Sequence, residues 1–109
     1  MGRSSQRKGR NGEKELSVLL NEYGFNTRPG RPLSFGSEAD VVGLPSIHIE
    51  SKRCQQLRLS EWMKQAVADS EKFKDGLPTL FHRRDREEWM VTMRVVDWIE
   101  IYKKSINDK

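Results

Sequence analysis

The chain has 109 residues, with 20 Lys and Arg against 16 Asp and Glu, so its formal net charge is +4 and its isoelectric point is about 9.4. This length fits one ordinary domain, and no apolar run approaches the roughly 20 residues that a membrane-spanning helix needs. The lone Cys54 excludes a scaffold held by internal disulfides, and the basic N-terminus lacks the apolar stretch of a signal peptide. We therefore expect a cytoplasmic protein, without a membrane partner, whose basic bias favours an anionic partner.

The front of the chain divides into a basic segment and an amphipathic one. Residues 1–12 contain four basic residues and three glycines, which predicts a flexible basic arm. From Gly12, apolar residues recur at the helical spacing i, i+3, i+4, i+7, at Leu16, Leu19, Leu20 and Tyr23. Gly24 is expected to end this helix.

Three extended segments are predicted next. Residues 25–27 lead into a loop with two prolines, residues 38–44 form a short strand, and residues 47–52 alternate apolar and polar side chains. The turn at Pro45-Ser46 joins the last two segments into a β-hairpin, although it is not a favoured two-residue turn.

The second half of the sequence predicts a helix, two strands and a final helix. The helix covers about residues 61–74, with Ser60 as its N-cap and Trp62, Ala66 and Phe73 on one face. The strands cover residues 79–81 and 89–93. Asp97 and Glu100 resemble a capping box that opens a helix burying Trp98, Ile101 and Tyr102.

The predicted order α-β-β-β-α-β-β-α gives an α/β fold with a mixed central sheet of about five strands flanked by helices. Residues 13–104 would be a single domain, with residues 105–109 as a C-terminal tail.

One group of charged residues has the composition of a catalytic or metal-binding site. Alternation along residues 47–52 puts His48, Glu50 and Lys52 on one face of the strand, and the hairpin brings Asp40 beside Glu50. An Asp/Glu pair suits a hard divalent cation such as Mg²⁺, and a lysine can act on an attacking water or on a phosphoryl oxygen. The alternative is an exposed sheet face carrying solvated ion pairs.

These residues resemble the D…(D/E)-x-K signature of the PD-(D/E)XK nuclease superfamily, with Asp40 followed by Glu50-Ser51-Lys52. The resemblance becomes more specific when further segments are included: Arg7-Lys8-Gly9, Glu13-Lys14-Glu15-Leu16, Tyr23-Gly24-Phe25 and Gly36-Ser37. Residues 7–53 together are similar to the archaeal-type Holliday junction resolvase branch and to its small phage and prophage relatives.

The resemblance implies a restriction-endonuclease-like core and a metal-dependent DNA endonuclease. Glu13, Asp40 and Glu50 would bind the metal together with the backbone carbonyl of Ser51, and Lys52 would be the catalytic lysine. The cofactor would be Mg²⁺, with Mn²⁺ as a plausible substitute and no small-molecule cofactor. The reaction would leave a 5′-phosphate and a 3′-hydroxyl, and a homodimer would cut a four-way junction symmetrically. Helical geometry alone does not choose between Glu13 and Glu15.

Gln65 is an additional candidate, either as a site residue or as a solvent-facing polar residue. The tyrosine that follows this glutamine by four residues in some relatives is Asp69 here.

Three other functions remain open. One is a nuclease acting on flaps, nicks or other DNA in phage recombination or host DNA degradation. Another is a non-catalytic DNA-binding protein that retained the fold. The third is a basic partner-binding module without a nucleic-acid role, which would show no salt-dependent affinity for DNA.

Phosphate contacts are expected from basic residues around the site, namely Arg7, Lys8, Arg10, Arg28, Arg31, Arg53, Arg58, Arg83 and Arg84. We interpret His48 as a partly exposed strand residue. Some of the apolar surplus could form a dimer face, with candidates Trp89, Met90, Met93 and Trp98.

Overall fold

The structure, a computed structural model, describes residues 2–33 and 36–107, with side chains described for residues 11–31 and 38–107. Five strands of the described chain form a mixed sheet in the order β1-β4-β5-β6-β7, and β2 and β3 form a separate two-stranded ribbon. The elements in chain order are α1 (Gly2–Glu22), β1 (Arg28–Pro29), β2 (Pro32–Leu33), β3 (Gly36–Ser37), β4 (Val41–Val42), β5 (Ile47–Arg53), α2 (Leu59–Phe73), β6 (Leu77–Arg83), β7 (Met90–Met93) and α3 (Val95–Asn107). The predicted α/β class, with a mixed five-stranded sheet and flanking helices, is confirmed.

The centre of the sheet is the parallel pair β5 and β6, in register from Ile47 opposite Leu77 to Arg53 opposite Arg83. Helix α2 connects these two strands, as a parallel pair requires. The β4–β5 hairpin is antiparallel, with Val41 opposite Ile49, which confirms the predicted hairpin.

Both faces of the sheet are covered, and the period-two alternation of β5 assigns its side chains to them. On the α1 face, Leu16, Val41 and Ile49 form a buried cluster. On the α2 face, the buried cluster consists of Trp62, Ala66 and Leu80. Because Glu50 lies opposite Leu80 in the register, its side chain is on the α2 face.

Helix α1 begins at Gly2, ten residues before the predicted start, so the backbone of the expected arm is helical from that residue on. The segment contains no proline, and adding one residue to an existing helix costs far less than nucleating a new one. The division into arm, domain and tail stays a prediction. The side chains of Arg7, Lys8 and Arg10 lie outside the described set.

Two predicted helix starts are wrong by two or three residues. Helix α2 begins at Leu59, and its N-cap is Arg58 without a side-chain hydrogen bond, so Ser60 lies inside the helix. Leu59 packs against the Trp62 cluster, and this burial favours the earlier start. Helix α3 begins at Val95, where the side chain of Asp97 accepts a 2.8 Å bond from Arg94 Nε instead of forming a capping box.

The predicted burial of the α3 aromatic face is wrong. Trp98 is 52% exposed, Tyr102 is 52% exposed and Ile101 is 38% exposed, and among the described α3 residues only Asp97 is buried. Trp98 and Tyr102 stack on each other, and Trp98 lines a groove with residues of β7. We call this the α3–β7 surface, formed by Val91, Met93, Val95, Trp98 and Tyr102.

Within the described ranges, no helix has the length and apolar character needed to cross a bilayer.

Candidate functional site

Asp40 lies at the end of the β4–β5 hairpin, where backbone bonds from two directions fix it. Its N–H donates to Ile49 O at 3.1 Å, and its carbonyl accepts from Gly30 N at 2.8 Å. Its side-chain Oδ2 accepts the backbone N–H of Ser51 at 2.8 Å. The orientation of the Asp40 carboxylate is therefore set by the backbone of the strand that carries Glu50 and Lys52.

Gly30 allows this arrangement because the chain passes very close to the backbone before Asp40. A Cβ atom on Gly30 would lie 1.8 Å from the carbonyl oxygen of Ala39, which no side chain could tolerate without backbone movement. The glycine seen in the sequence as loop punctuation is thus a packing requirement next to the site.

Glu50 is buried on the α2 face of β5, with only 3% of its surface exposed. Lys52 lies two residues further along the same face, and its Nζ is 6.0 Å from the ring centroid of Trp62. This cation–π contact brings the ammonium group against α2. The predicted alternation of β5 is confirmed for both residues.

Electrostatics connect Glu13, Asp40 and Glu50. Burial, followed by the charge of Asp40, raises the pKa of Glu13 to about 7, while Lys52 acts in the opposite direction. Burial also raises the pKa of Glu50 to about 7; the charge of Asp40 adds to this effect, and a hydrogen bond from His48 opposes it. The negative charge of Asp40 is thus felt by a carboxyl on α1 and by one on β5.

The neighbouring glutamates of α1 have different surroundings, which the sequence could not distinguish. Glu15 accepts a 3.0 Å bond from Trp89 Nε1 and pairs with the guanidinium groups of Arg83 and Arg53. Glu13 instead interacts with Asp40 and Lys52. Glu15 therefore fastens α1 to the carboxyl ends of β5 and β6, and Glu13 is the α1 glutamate whose pKa responds to Asp40 and Lys52.

His48 is fully buried, so its interpretation as a partly exposed strand residue is wrong. Its Nε2 lies 2.8 Å from Glu50 Oε1, and its Nδ1 lies 2.8 Å from both carboxylate oxygens of Asp75. Burial alone would lower the pKa of His48, but its hydrogen bonds to Glu50 and Asp75 outweigh burial and raise it. Sequence alternation gave the correct face for His48 but no sign that α2 covers it.

On α2, Asp69 contacts the site and Gln65 is exposed. A carboxylate oxygen of Asp69 lies within 4.8 Å of one of Glu50, while Gln65 lies one helical turn earlier on the same helix. Sequence reasoning noted Asp69 only as a departure from the family pattern. Asp69 follows Trp62 by seven residues and Ala66 by three, so it shares their face of α2, and this spacing is the signal that would have found it.

The predicted arginines differ in how firmly the protein holds them. Arg53 bonds Asp85 at 2.6 Å, and Arg83 bonds Glu15, so both guanidinium groups are engaged at the carboxyl ends of β5 and β6. The other predicted arginines with described side chains are more exposed, namely Arg28 paired with Glu38, Arg31, Arg58 paired with Glu61, and Arg84 paired with Glu87.

The donor set suits a hard divalent cation. Carboxylate oxygens are the preferred ligands of such ions. Burial and the charge of Asp40 raise the pKa values of Glu13 and Glu50, and a bound cation would offset both effects. Among the described residues, the group whose ligand atoms lie within 4.8 Å of one another is His48, Glu50 and Asp69, which includes Glu50 but neither Glu13 nor Asp40.

No protein-family model matches the chain, and no curated protein sequence matches it. Among solved structures it is similar to Hjc, a Holliday junction resolvase from the archaeal hyperthermophile Archaeoglobus fulgidus, determined at 1.6 Å resolution. The TM-score is 0.55 at 22% sequence identity, and the similarity covers 76% of this chain and 74% of the resolvase. The two proteins share a fold, which confirms at that level the resemblance to the PD-(D/E)XK nucleases seen in the sequence.

Proposed function

We propose that this protein is a metal-dependent DNA endonuclease that hydrolyses phosphodiester bonds in branched DNA, with the four-way junction as its preferred substrate. The observation that carries the proposal is the electrostatic coupling of Asp40 to Glu13 and Glu50, with Lys52 countering the charge at Glu13. The fold shared with a Holliday junction resolvase supports the choice of substrate.

The proposed cofactor is Mg²⁺, which Mn²⁺ would replace. The side chains of Glu13, Asp40 and Glu50 and the backbone carbonyl of Ser51 would hold it. When bound, such an ion withdraws electron density from a phosphoryl oxygen and favours attack by water. The raised pKa values of Glu13 and Glu50 support this assignment, because burial and the charge of Asp40 disfavour the ionised carboxylates and a bound cation would offset that cost.

Lys52 would be the catalytic lysine. Its ammonium group would orient the attacking water and stabilise the negative charge that develops on the phosphoryl oxygen. Attack on phosphorus would break the P–O3′ bond, leaving a 3′-hydroxyl and a 5′-phosphate. The contact with Trp62 supports this role, because it restricts the motion of a long side chain next to the reacting group.

DNA would be held through phosphates rather than through bases. The exposed side chains of Arg31, Arg58 and Arg84 are candidates for these contacts, together with Arg28 and the basic residues Arg7, Lys8 and Arg10 near the N-terminus. Backbone contacts of this kind recognise the shape of DNA, which suits an enzyme that selects a branch point over a base sequence.

A homodimer would supply the two active sites that symmetric cleavage needs. The α3–β7 surface is the proposed interface, because it exposes a stacked aromatic pair and neighbouring apolar side chains. Apolar surface of this kind typically marks a protein interface.

The test is a cleavage assay with labelled four-way junction, flap, nicked and plain duplex DNA, each with Mg²⁺ or with chelator. We expect paired symmetric cuts in the junction with Mg²⁺ and no cleavage in chelator or by the Glu50→Gln variant. Cleavage of all four substrates would replace the junction assignment with a broader nuclease. No cleavage of any substrate with Mg²⁺ or Mn²⁺ would overturn the proposal.

A further inference from the structure

His48 is enclosed between two carboxylates. It has no exposed surface, and its two ring nitrogens lie 2.8 Å from oxygens of Glu50 and Asp75 respectively. The ring of Phe73, with its centroid 6.0 Å away, covers one side of the imidazole. In its protonated form the ring donates one N–H to each carboxylate, so it is held at both ends.

Asp75, one of the two carboxylates bonded to His48, lies in a tight turn between α2 and β6. Lys74 ends α2 in the left-handed conformation with φ 52°, and Gly76 follows Asp75 with φ 135°. A Cβ atom on Gly76 would lie 2.3 Å from the carbonyl carbon of Ser46, and Leu77 N–H donates to Ser46 O at 2.9 Å. Asp75 is therefore presented by rigid backbone, although 30% of its side chain is exposed.

A third residue lies close to Glu50, since ligand atoms of His48, Glu50 and Asp69 lie within 4.8 Å of one another. Contacts from β5 and from α2 thus converge on one buried carboxyl group. A carboxylate that binds an ion gains affinity when its orientation is set in advance, because less order is lost on binding.

We propose that His48 and Asp75 are positioning residues, which orient the Glu50 carboxylate for the divalent ion through a hydrogen-bonded chain from Asp75 to His48 to Glu50. This inference rests on the proposed function, in which Glu50 binds the ion. It assigns no ligand role to His48, because both of its ring nitrogens are already bonded to carboxylates.

The test measures Mn²⁺ binding to the DNA-free protein by electron paramagnetic resonance, for the wild type and for the Asp75→Ala and Asp75→Asn variants. Loss of a residue that orients a metal ligand typically weakens metal binding about 10- to 100-fold. We expect Asp75→Ala to weaken Mn²⁺ binding by at least about 10-fold. Asp75→Asn keeps an oxygen that accepts from His48 and should stay within about 3-fold of the wild type.

Glu71→Ala is the matched control, because it removes one exposed carboxylate from the last turn of α2, four residues before Asp75. Its Mn²⁺ affinity should equal that of the wild type. Junction binding without divalent ions should be the same for all four proteins, while kcat falls for Asp75→Ala. Melting temperatures of the four proteins identify any loss of folding.

Several results would overturn the positioning role. One is wild-type Mn²⁺ affinity in folded Asp75→Ala, and another is an Asp75→Asn variant as weak as Asp75→Ala. Nitrogen coupling from an imidazole to the bound Mn²⁺ would make His48 a ligand instead. If the wild type bound no Mn²⁺, the proposed function would fail as well. If the wild type bound Mn²⁺ and Asp75→Ala bound it with the same affinity, only the positioning role would be removed.

Discussion

The carboxylate of Asp40 accepts the backbone N–H of Ser51 at 2.8 Å. Ser51 lies between Glu50 and Lys52, so this bond connects Asp40 directly to the segment that carries the other two charged groups. Their arrangement is therefore set by the backbone of the hairpin, and a substitution at Asp40 that keeps a hydrogen-bond acceptor changes its charge without releasing the hairpin.

Asp40→Asn should abolish cleavage while leaving the metal-free protein as stable as the wild type or more stable. Asparagine can still accept from Ser51, but it no longer adds negative charge near Glu13 and Glu50, whose pKa values that charge raises. Single-turnover cleavage and thermal melting in chelator are the measurements. A drop of many degrees in melting temperature would show that Asp40 has a structural role instead.

Glu13 and Glu15 should respond in opposite ways to substitution. Glu13→Gln should lose cleavage with little change in melting temperature, because Glu13 interacts with Asp40 and Lys52. Glu15→Ala should keep cleavage but lose about 1–2 kcal/mol of stability, because it removes the acceptor of Trp89 and the ion pair with Arg83. The two variants are matched in position and charge, so each is the control for the other. Loss of cleavage in Glu15→Ala alone would reverse the assignment.

Local patterns in the sequence were enough to bring Asp40, Glu50 and Lys52 together. Alternation sets the face of each β5 side chain, and a hairpin brings two segments close in space over a few residues. Both effects act within about a dozen residues of the chain, so neither depends on how distant elements pack.

The environment of His48 and the choice between Glu13 and Glu15 depend on distant packing. Asp75 is 27 residues from His48, and its position follows from the turn at Lys74 and Gly76. The rotation of α1 is fixed by Leu16 in the core and by Glu15 at Arg83, which is 68 residues away. Helical periodicity does not contain this information.

Helix α3 has an apolar face that periodicity predicts correctly but whose burial it predicts wrongly. Its periodicity correctly indicates an apolar face, but periodicity does not say what covers that face. Within the described part of the chain, Trp98 and Tyr102 remain half exposed. The apolar pattern therefore predicted burial inside the domain where the single chain provides none.

The stability of the metal-free protein should fall as the pH rises from about 5 to about 7.5. Glu13 and Glu50 have pKa values of about 7 when folded against an ordinary 4.5, so the folded state holds more protons across this range. Their stabilising contribution is complete below about 4.5 and is lost as the pH passes about 7. The raised pKa of His48 acts in the same direction.

Thermal melting in chelator at several pH values, for the wild type and for Glu50→Gln, measures this effect. The decline should be shallower in the variant. The lowered pKa of His82 contributes with the opposite sign in both proteins, so it cancels in the comparison. Saturating Mg²⁺ should raise the wild-type melting temperature more at pH 8 than at pH 6, because binding requires ionised carboxylates. Parallel profiles for the two proteins would contradict the assignment of the pH effect to Glu50.

Arg31 and Arg53 should differ in their effect on DNA binding. Arg31 is exposed, whereas the Arg53 side chain is only 17% exposed and bonds Asp85 at 2.6 Å. Arg31→Ala should weaken junction binding and reduce the slope of log K against log salt by about 0.9, the value for one lost phosphate contact. Arg53→Ala should leave that slope unchanged and lower the melting temperature. A salt titration of junction binding without divalent ions, combined with thermal melting, distinguishes the two outcomes. Equal slopes for the wild type and Arg31→Ala would remove Arg31 from the DNA interface.

Trp98→Glu should convert the proposed dimer into a monomer. Trp98 is 52% exposed, stacks on Tyr102 and lines the groove with β7, so a charge there would be buried without a partner in the interface. Tyr23→Glu is the matched control, because Tyr23 is a 77% exposed aromatic residue next to the end of α1 and away from this surface.

Sedimentation velocity gives the mass in solution. We expect a dimer for the wild type and for Tyr23→Glu and a monomer for Trp98→Glu, which should nick junctions on one strand at a time. A dimeric Trp98→Glu variant would show that the interface lies elsewhere, and a monomeric wild type would remove the dimer from the proposal.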